Sequence, residues 1–285
     1  MRHVHTVRVG PYGFRVGSDW RTPIAALERL YAGYPKPDGI ADFTVRLEAT
    51  RLWRRFVRPA VAIAGDWMLP GAAPLPLAQA LLAAEMGMNL QLALGGRRHL
   101  LLHASSVERG GRALLMTGES GAGKSTLSVL LAARGWRFMG DEFALIDLDT
   151  GEVRAFPRPV SLKNDSIGVG RAAWPGAVAG PLLRATPKGE VRHLAPDAYA
   201  IAAMDVPARP ALLLFPRYGF PAETRTVPPS ETFVRLTQAS TNYTALGQRG
   251  FEALIRLVRG VPAMAVDYPD GAAGVAAVEA LWGAL

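Results

Sequence analysis

Residues 118–126 read Gly118-Glu119-Ser120-Gly121-Ala122-Gly123-Lys124-Ser125-Thr126, a full match to G-x-x-x-x-G-K-[ST]. The flanking residues supply the context this pattern needs. The apolar run Arg112-Ala113-Leu114-Leu115-Met116-Thr117 predicts a buried strand, and Thr126 to Arg134 predicts a helix stopped by Gly135. In a strand–loop–helix unit the glycines let successive backbone N–H groups face phosphate oxygens, and the helix N-terminus adds positive potential. Lys124 then reaches the β- and γ-phosphates, and the Ser125 hydroxyl is placed to ligate Mg²⁺. The whole stretch from Gly118 through Thr126 is therefore expected to bind ATP, with Mg²⁺ as its companion.

Composition narrows the setting. There is no cysteine in 285 residues, which removes disulfides, thiol catalysis and cysteine-ligated zinc. Apolar residues make up 49%, enough to bury a core. The first residues, Met1 to Val9, alternate polar and apolar and lack the apolar core of a signal peptide. Apolar runs such as Leu75 to Ala84 are too short and interrupted to span a bilayer. A soluble cytoplasmic protein without a membrane partner is expected. The net charge is +8, and only four of the 32 Lys and Arg are lysine. The arginines are spread along the chain, and the densest group, Arg51 to Arg58, alternates with apolar residues as on an exposed strand or short helix face. That spread argues against a nucleic-acid partner.

Residues 1–96 form a first, α+β region with no motif of its own. It opens with a hairpin, Thr6–Val9 and Phe14–Val16, turning at Gly10 to Gly13. A helix over Pro23–Tyr31, strands at Phe43–Leu47 and Val57–Ile63, a loop at Pro70–Pro76 and a helix over Leu77–Leu94 follow. Residues 97–285 read as a strand-rich α/β domain. Leu100–Ser105, Phe143–Leu148, Ala211–Phe215 and Pro262–Tyr268 are its strand candidates beside the one that feeds the glycine loop. Ser230–Gln238, Gly250–Arg259 and Ala272–Leu285 read as helices, and Gly168–Gly189 as an irregular segment rich in Pro, Gly and Ala.

A second constellation restricts the chemistry. Gly140-Asp141-Glu142 follows Lys124 closely, with room for one helix and one short strand between them. Ligands of open α/β sheets bind outside the carboxyl ends of strands. Asp141 is thus expected to face the γ-phosphate, where an acid can take the proton of an attacking hydroxyl or hold Mg²⁺. In transport and motor ATPases the corresponding acids usually lie much further from the loop. The transporter sequence Leu-Ser-Gly-Gly and the GTPase sequence Asn-Lys-x-Asp are both missing. Short spacing is the habit of small kinases.

Leu102-His103, the loop 15 residues on, Gly140-Asp141-Glu142, and Arg158-Pro159-Val160-Ser161-Leu162-Lys163-Asn164 together resemble the HPr kinase/phosphorylase family, in its divergent HPr-kinase-related branch. The matching stretch covers roughly residues 99 to 165. The resemblance implies a P-loop fold like that of phosphoenolpyruvate carboxykinase, a mixed sheet flanked by helices. It also implies transfer of phosphate from ATP to a serine hydroxyl. It makes Asp141 the general base, His103 a support of the acid site, and Glu142 the second acid, which with Ser125 would serve Mg²⁺. The chain has Asp141-Glu142 where the family has two aspartates, and the family's phosphorylase-associated glycine-rich segment has no counterpart in the C-terminal part. The acceptor stays open between a peptide or small protein and a small hydroxyl metabolite, as does homo-oligomer formation. A regulator that binds ATP without transferring its phosphate is the reading from another class.

Arg158 and Lys163 flank the Pro-Val-Ser-Leu strand and are candidates for phosphate oxygens or an acceptor carboxylate. Asn242-Tyr243 reads as turn and cap chemistry. His3, His5, His99 and His193 show no metal-ligand spacing.

Overall fold

A computed structural model describes residues 1–285. In chain order the first region contains β1 (His3–Val9), β2 (Tyr12–Ser18), α1 (Arg21–Leu30), β3 (Phe43–Ala49), β4 (Ala60–Gly65), β5 (Leu75–Pro76) and α2 (Ala80–Gly95). Then come β6 (His99–Leu102), β7 (Ala104–Arg109), β8 (Arg112–Thr117), α3 (Lys124–Ala132), β9 (Arg137–Gly140), β10 (Ala144–Asp147), β11 (Val153–Arg154) and β12 (Val160–Lys163). The chain continues with α4 (Ser166–Ala173), β13 (Leu183–Thr186), β14 (Gly189–Leu194), α5 (Ala198–Ala202) and β15 (Arg209–Tyr218). It closes with β16 (Glu223–Thr226), α6 (Pro229–Ala239), α7 (Tyr243–Gly260), β17 (Ala263–Tyr268) and α8 (Gly271–Gly283).

These elements make a mixed α/β fold of four sheets. The first five strands pair in sequence order, with β2 and β3 parallel and the rest antiparallel. The hairpin turn needs Gly10 at φ +50°, where a Cβ would lie 2.0 Å from the Ala155 carbonyl oxygen. Helix α2 lies on β3 and β4, and Gly87 permits that approach, because a Cβ there would meet Val45 at 2.6 Å. This region does not close a core by itself. Leu101, Phe143, Leu145, Phe156 and Ala195, all from later in the chain, complete it.

The central sheet has the order β16-β17-β15-β8-β7-β9. Strands β8, β15 and β17 run parallel, as strands buried on both faces by crossovers do. One face packs on α6, α7 and the β6–β10 pair, and the other on α3, α8 and β12. No helix is long and apolar enough to cross a membrane.

Besides α7, which starts at Tyr243 rather than Gly250, and the short β5 at the end of the expected Pro70–Pro76 loop, three segments differ from their sequence reading. The run Leu100–Ser105 is two strands, because His103 breaks it: β6 pairs with β10, whereas β7 joins β8 and β9. At the break the His103 N–H bonds the Ala239 carbonyl (2.8 Å), and its carbonyl accepts from Thr117 Oγ1 (3.0 Å). Residues 168–189 are not irregular throughout. They carry most of α4 and all of β13, because Gly170 lets α4 sit on Leu162; a Cβ there would lie 2.0 Å from that side chain. The strand expected from Val57 starts at Ala60, after an exposed 3₁₀ turn, Leu52–Arg55, and after Arg58 at φ +45°.

His99 on β6 bonds Tyr12 of β2 through Nδ1 (3.0 Å), and burial pushes its pKa down to about 4. A histidine held neutral in the folded state contributes stability above its unfolded value of 6.5 and loses it as the pH falls through the folded one. Melting temperature is therefore expected to fall as the pH drops from about 6.5 to about 4, and less steeply in His99→Gln. Melts at fixed ionic strength check this; identical slopes would remove His99 as a contributor.

Candidate active site

The loop between β8 and α3 is shaped by its glycines. Gly121 and Gly123 have φ of +89° and +91°, a region that side chains rarely adopt. Gly123 has a steric reason as well: a Cβ would sit 2.2 Å from Tyr268 Oη and 3.1 Å from Tyr218 Cβ. Tyr268 Oη in turn donates to the Ala122 carbonyl (3.3 Å), fastening the loop to the end of β17. No side chain caps α3, so its first N–H groups, those of Lys124, Ser125 and Thr126, remain without a capping partner. Uncapped donors and the helix dipole make this end attractive to an anion.

Lys124 is buried, and its ammonium donates to the carbonyls of Gly118 (2.7 Å) and Glu119 (2.9 Å). Burial presses its pKa below the ordinary lysine value, the charges of Asp141 and Glu142 oppose that shift, and nearby Lys163 adds to it.

Asp141 follows β9 directly, so the path from the loop to this acid runs through one helix and one strand, as the spacing predicts. Its carboxyl is buried and accepts a hydrogen bond from Ser105 Oγ, on the neighbouring β7. Burial raises its pKa and the adjacent Glu142 charge raises it further, while bonds from the Ser105 and Ser125 hydroxyls and the charge of Lys124 oppose the rise. The structure thus brings Lys124, Ser125 and Asp141 together.

His103 stands beside them, about half exposed. Its Nδ1 lies 3.0 Å from the Glu142 carbonyl oxygen and 3.8 Å from Glu142 Oε2. A carbonyl only accepts, so Nδ1 carries the proton and Nε2 is left for another partner. His103, Thr117 and Gly118 to Ala122 form one wall of a cleft of about 1130 Å³. The opposite wall comes from the ends of β15 and β17 and from α6.

The two basic candidates separate. Lys163 ends β12, half-buried, within electrostatic reach of Lys124. Arg158 does not serve a ligand site in this structure. Its guanidinium is buried and fully engaged, bonding Glu85 and Asn89 of α2 and the Tyr31 hydroxyl (3.2 Å). The expected phosphate or acceptor contact is replaced by a structural ion pair. Ser105, Tyr218 and Tyr268 carry no signal in the sequence; each reaches the loop or the acid from a neighbouring strand, which no local pattern records. Asn242 is a buried clamp, accepting from the Leu101 N–H (2.9 Å) and donating to the Gly96 (3.0 Å) and His99 (2.8 Å) carbonyls.

No protein-family model matches the chain, and no curated protein matches it. Among solved structures, the Hpr(Ser) kinase/phosphatase from Coxiella burnetii aligns with 65% of this chain and 99% of its own, at 14% identity and a TM-score of 0.30. A likeness at this level establishes neither fold nor activity.

Proposed function

We propose that this chain is a P-loop kinase that transfers the γ-phosphate of ATP to a hydroxyl, the serine of a peptide or small protein. One observation carries the reading: a buried carboxylate, Asp141, bonded by Ser105 and within electrostatic reach of Lys124 of the glycine loop. An acid at this place can hold Mg²⁺ or take a proton, and the raised pKa of buried Asp141 favours the second role. With nucleotide bound, Lys124 would exchange its two carbonyl partners for phosphate oxygens. Asp141 would take the hydroxyl proton as the acceptor oxygen bonds to the γ-phosphorus and the bond to the β–γ bridging oxygen breaks, releasing ADP. A raised pKa improves a carboxylate as a base. His103 would fix Glu142 through Nδ1.

The oxygen donors here suit Mg²⁺, which would supply charge neutralisation at the phosphates. Ser125 would hold it, with Glu142 nearby. An Mg²⁺ ion held this way would take its remaining ligands from water and the phosphates.

The test is ADP formation from ATP–Mg²⁺ in the presence of serine peptides, their alanine counterparts and small hydroxyl compounds. Release that requires the hydroxyl, with phosphate recovered on it, is expected. Nucleotide binding with no acceptor labelled across the panel would favour a non-catalytic regulator.

A further inference from the structure

We infer that Tyr218 and Phe220 form the platform on which the base of the bound nucleoside triphosphate stacks. This rests on the nucleotide-binding reading above and identifies the half of the ligand that the glycine loop does not read.

The sheet order supplies the direction. Strand β8 feeds the loop, and the acid side lies toward β7 and β9, where Asp141 meets Ser105. A γ-phosphate facing Asp141 sends the nucleoside the other way, past the carboxyl ends of β15 and β17. Two large aromatic side chains are exposed there, Tyr218 (52%) and Phe220 (43%). Tyr218 stands directly against the loop, its Cβ only 3.1 Å from where a Gly123 side chain would begin.

Both rings are held in place. Tyr268, itself buried, packs edge-on against Tyr218 at 5.9 Å and anchors to the Ala122 carbonyl. The Arg217 guanidinium lies 4.0 Å from the Phe220 ring centroid and is locked by two bonds to Asp267. A preset ring loses little freedom when a base stacks on it. The cleft of about 1130 Å³ runs without a break from Gly118–Ala122 to Tyr218 and Phe220, which is room for a nucleotide.

Titration of the full chain with ATP–Mg²⁺ and, separately, with tripolyphosphate–Mg²⁺ tests the assignment. The wild type is expected to prefer ATP. Tyr218→Ala and Phe220→Ala are expected to weaken ATP roughly ten- to hundredfold, as lost base stacking does, and to leave tripolyphosphate affinity unchanged. Tyr218→Phe, which keeps the ring, is expected to bind ATP like the wild type. Equal weakening of both ligands, or no weakening of ATP, would overturn the platform. Wild type that binds ATP with no preference over tripolyphosphate would do the same. Binding of neither ligand by the wild type would instead overturn the nucleotide reading, and the platform with it.

Discussion

Asp141→Asn is expected to abolish phosphate transfer, by about 10²- to 10⁴-fold in kcat, while nucleotide still binds and the fold becomes more stable. The geometry gives each part of this result. Asparagine keeps the shape and an oxygen that can accept from Ser105 and Ser125, so the loop and Lys124 stay in place. It cannot take a proton from an attacking hydroxyl. It also removes a carboxylate that burial and Glu142 have made costly to ionise. Relief of such strain at a functional site typically yields about 1 kcal/mol, or about 2 °C in melting temperature for a chain of this size. The pH dependence follows from the same shift. A folded-state pKa above the unfolded value means that the group's stability contribution is full below the ordinary aspartate range and declines as the pH rises through the raised value. Activity runs the other way, because the base must be deprotonated. The acid limb of kcat/KM is expected above the ordinary aspartate range, and the melting curve of Asp141→Asn is expected to lack the corresponding decline.

The second large effect is structural. Arg158→Ala is expected to destabilise the fold by about 3–5 kcal/mol, because it strands a buried carboxylate. The Glu85 side chain is 5% exposed, and its Oε1 already lacks a partner; Arg158 supplies its only ion pair. The same guanidinium holds Asn89 and Tyr31, so it ties α1 and α2 to the segment leading into β12. A fall of roughly 6–10 °C in melting temperature is expected. A double variant, Arg158→Met with Glu85→Leu, is expected to be more stable than Arg158→Ala, since it leaves no orphaned charge. Below its melting temperature Arg158→Ala is expected to bind ATP like the wild type. A selective loss of nucleotide or acceptor affinity without a loss of stability would restore Arg158 to the ligand site.

What could be read in the sequence was what depends on neighbours along the chain. The loop was legible because a backbone that turns at Gly121 and Gly123 with positive φ restricts the residues it can use. Asp141 was legible because one helix and one short strand fill a fixed length of chain. Ser105 was not, because it meets Asp141 only through the antiparallel pairing of β7 with β9. The Arg158 pairing is hidden for the same reason: its partner Glu85 lies 73 residues earlier, on another element. The break at His103 was hidden inside one strand-like run, Leu100–Ser105, where the choice between one strand and two is made by which sheet each half joins. Composition misled at 168–189, where a Gly- and Ala-rich stretch packs closely because Gly170 is small.

A buried acid beside a glycine loop is proposed to move a phosphate to a hydroxyl. That transfer is tested most directly by following γ-labelled phosphate from ATP–Mg²⁺ to a serine acceptor, with wild type and Asp141→Asn compared at saturating nucleotide. Label on the serine oxygen with wild type and its near-complete loss with Asp141→Asn, at equal nucleotide occupancy, are expected. Equal labelling by the two proteins, or none by nucleotide-saturated wild type, would contradict the proposal.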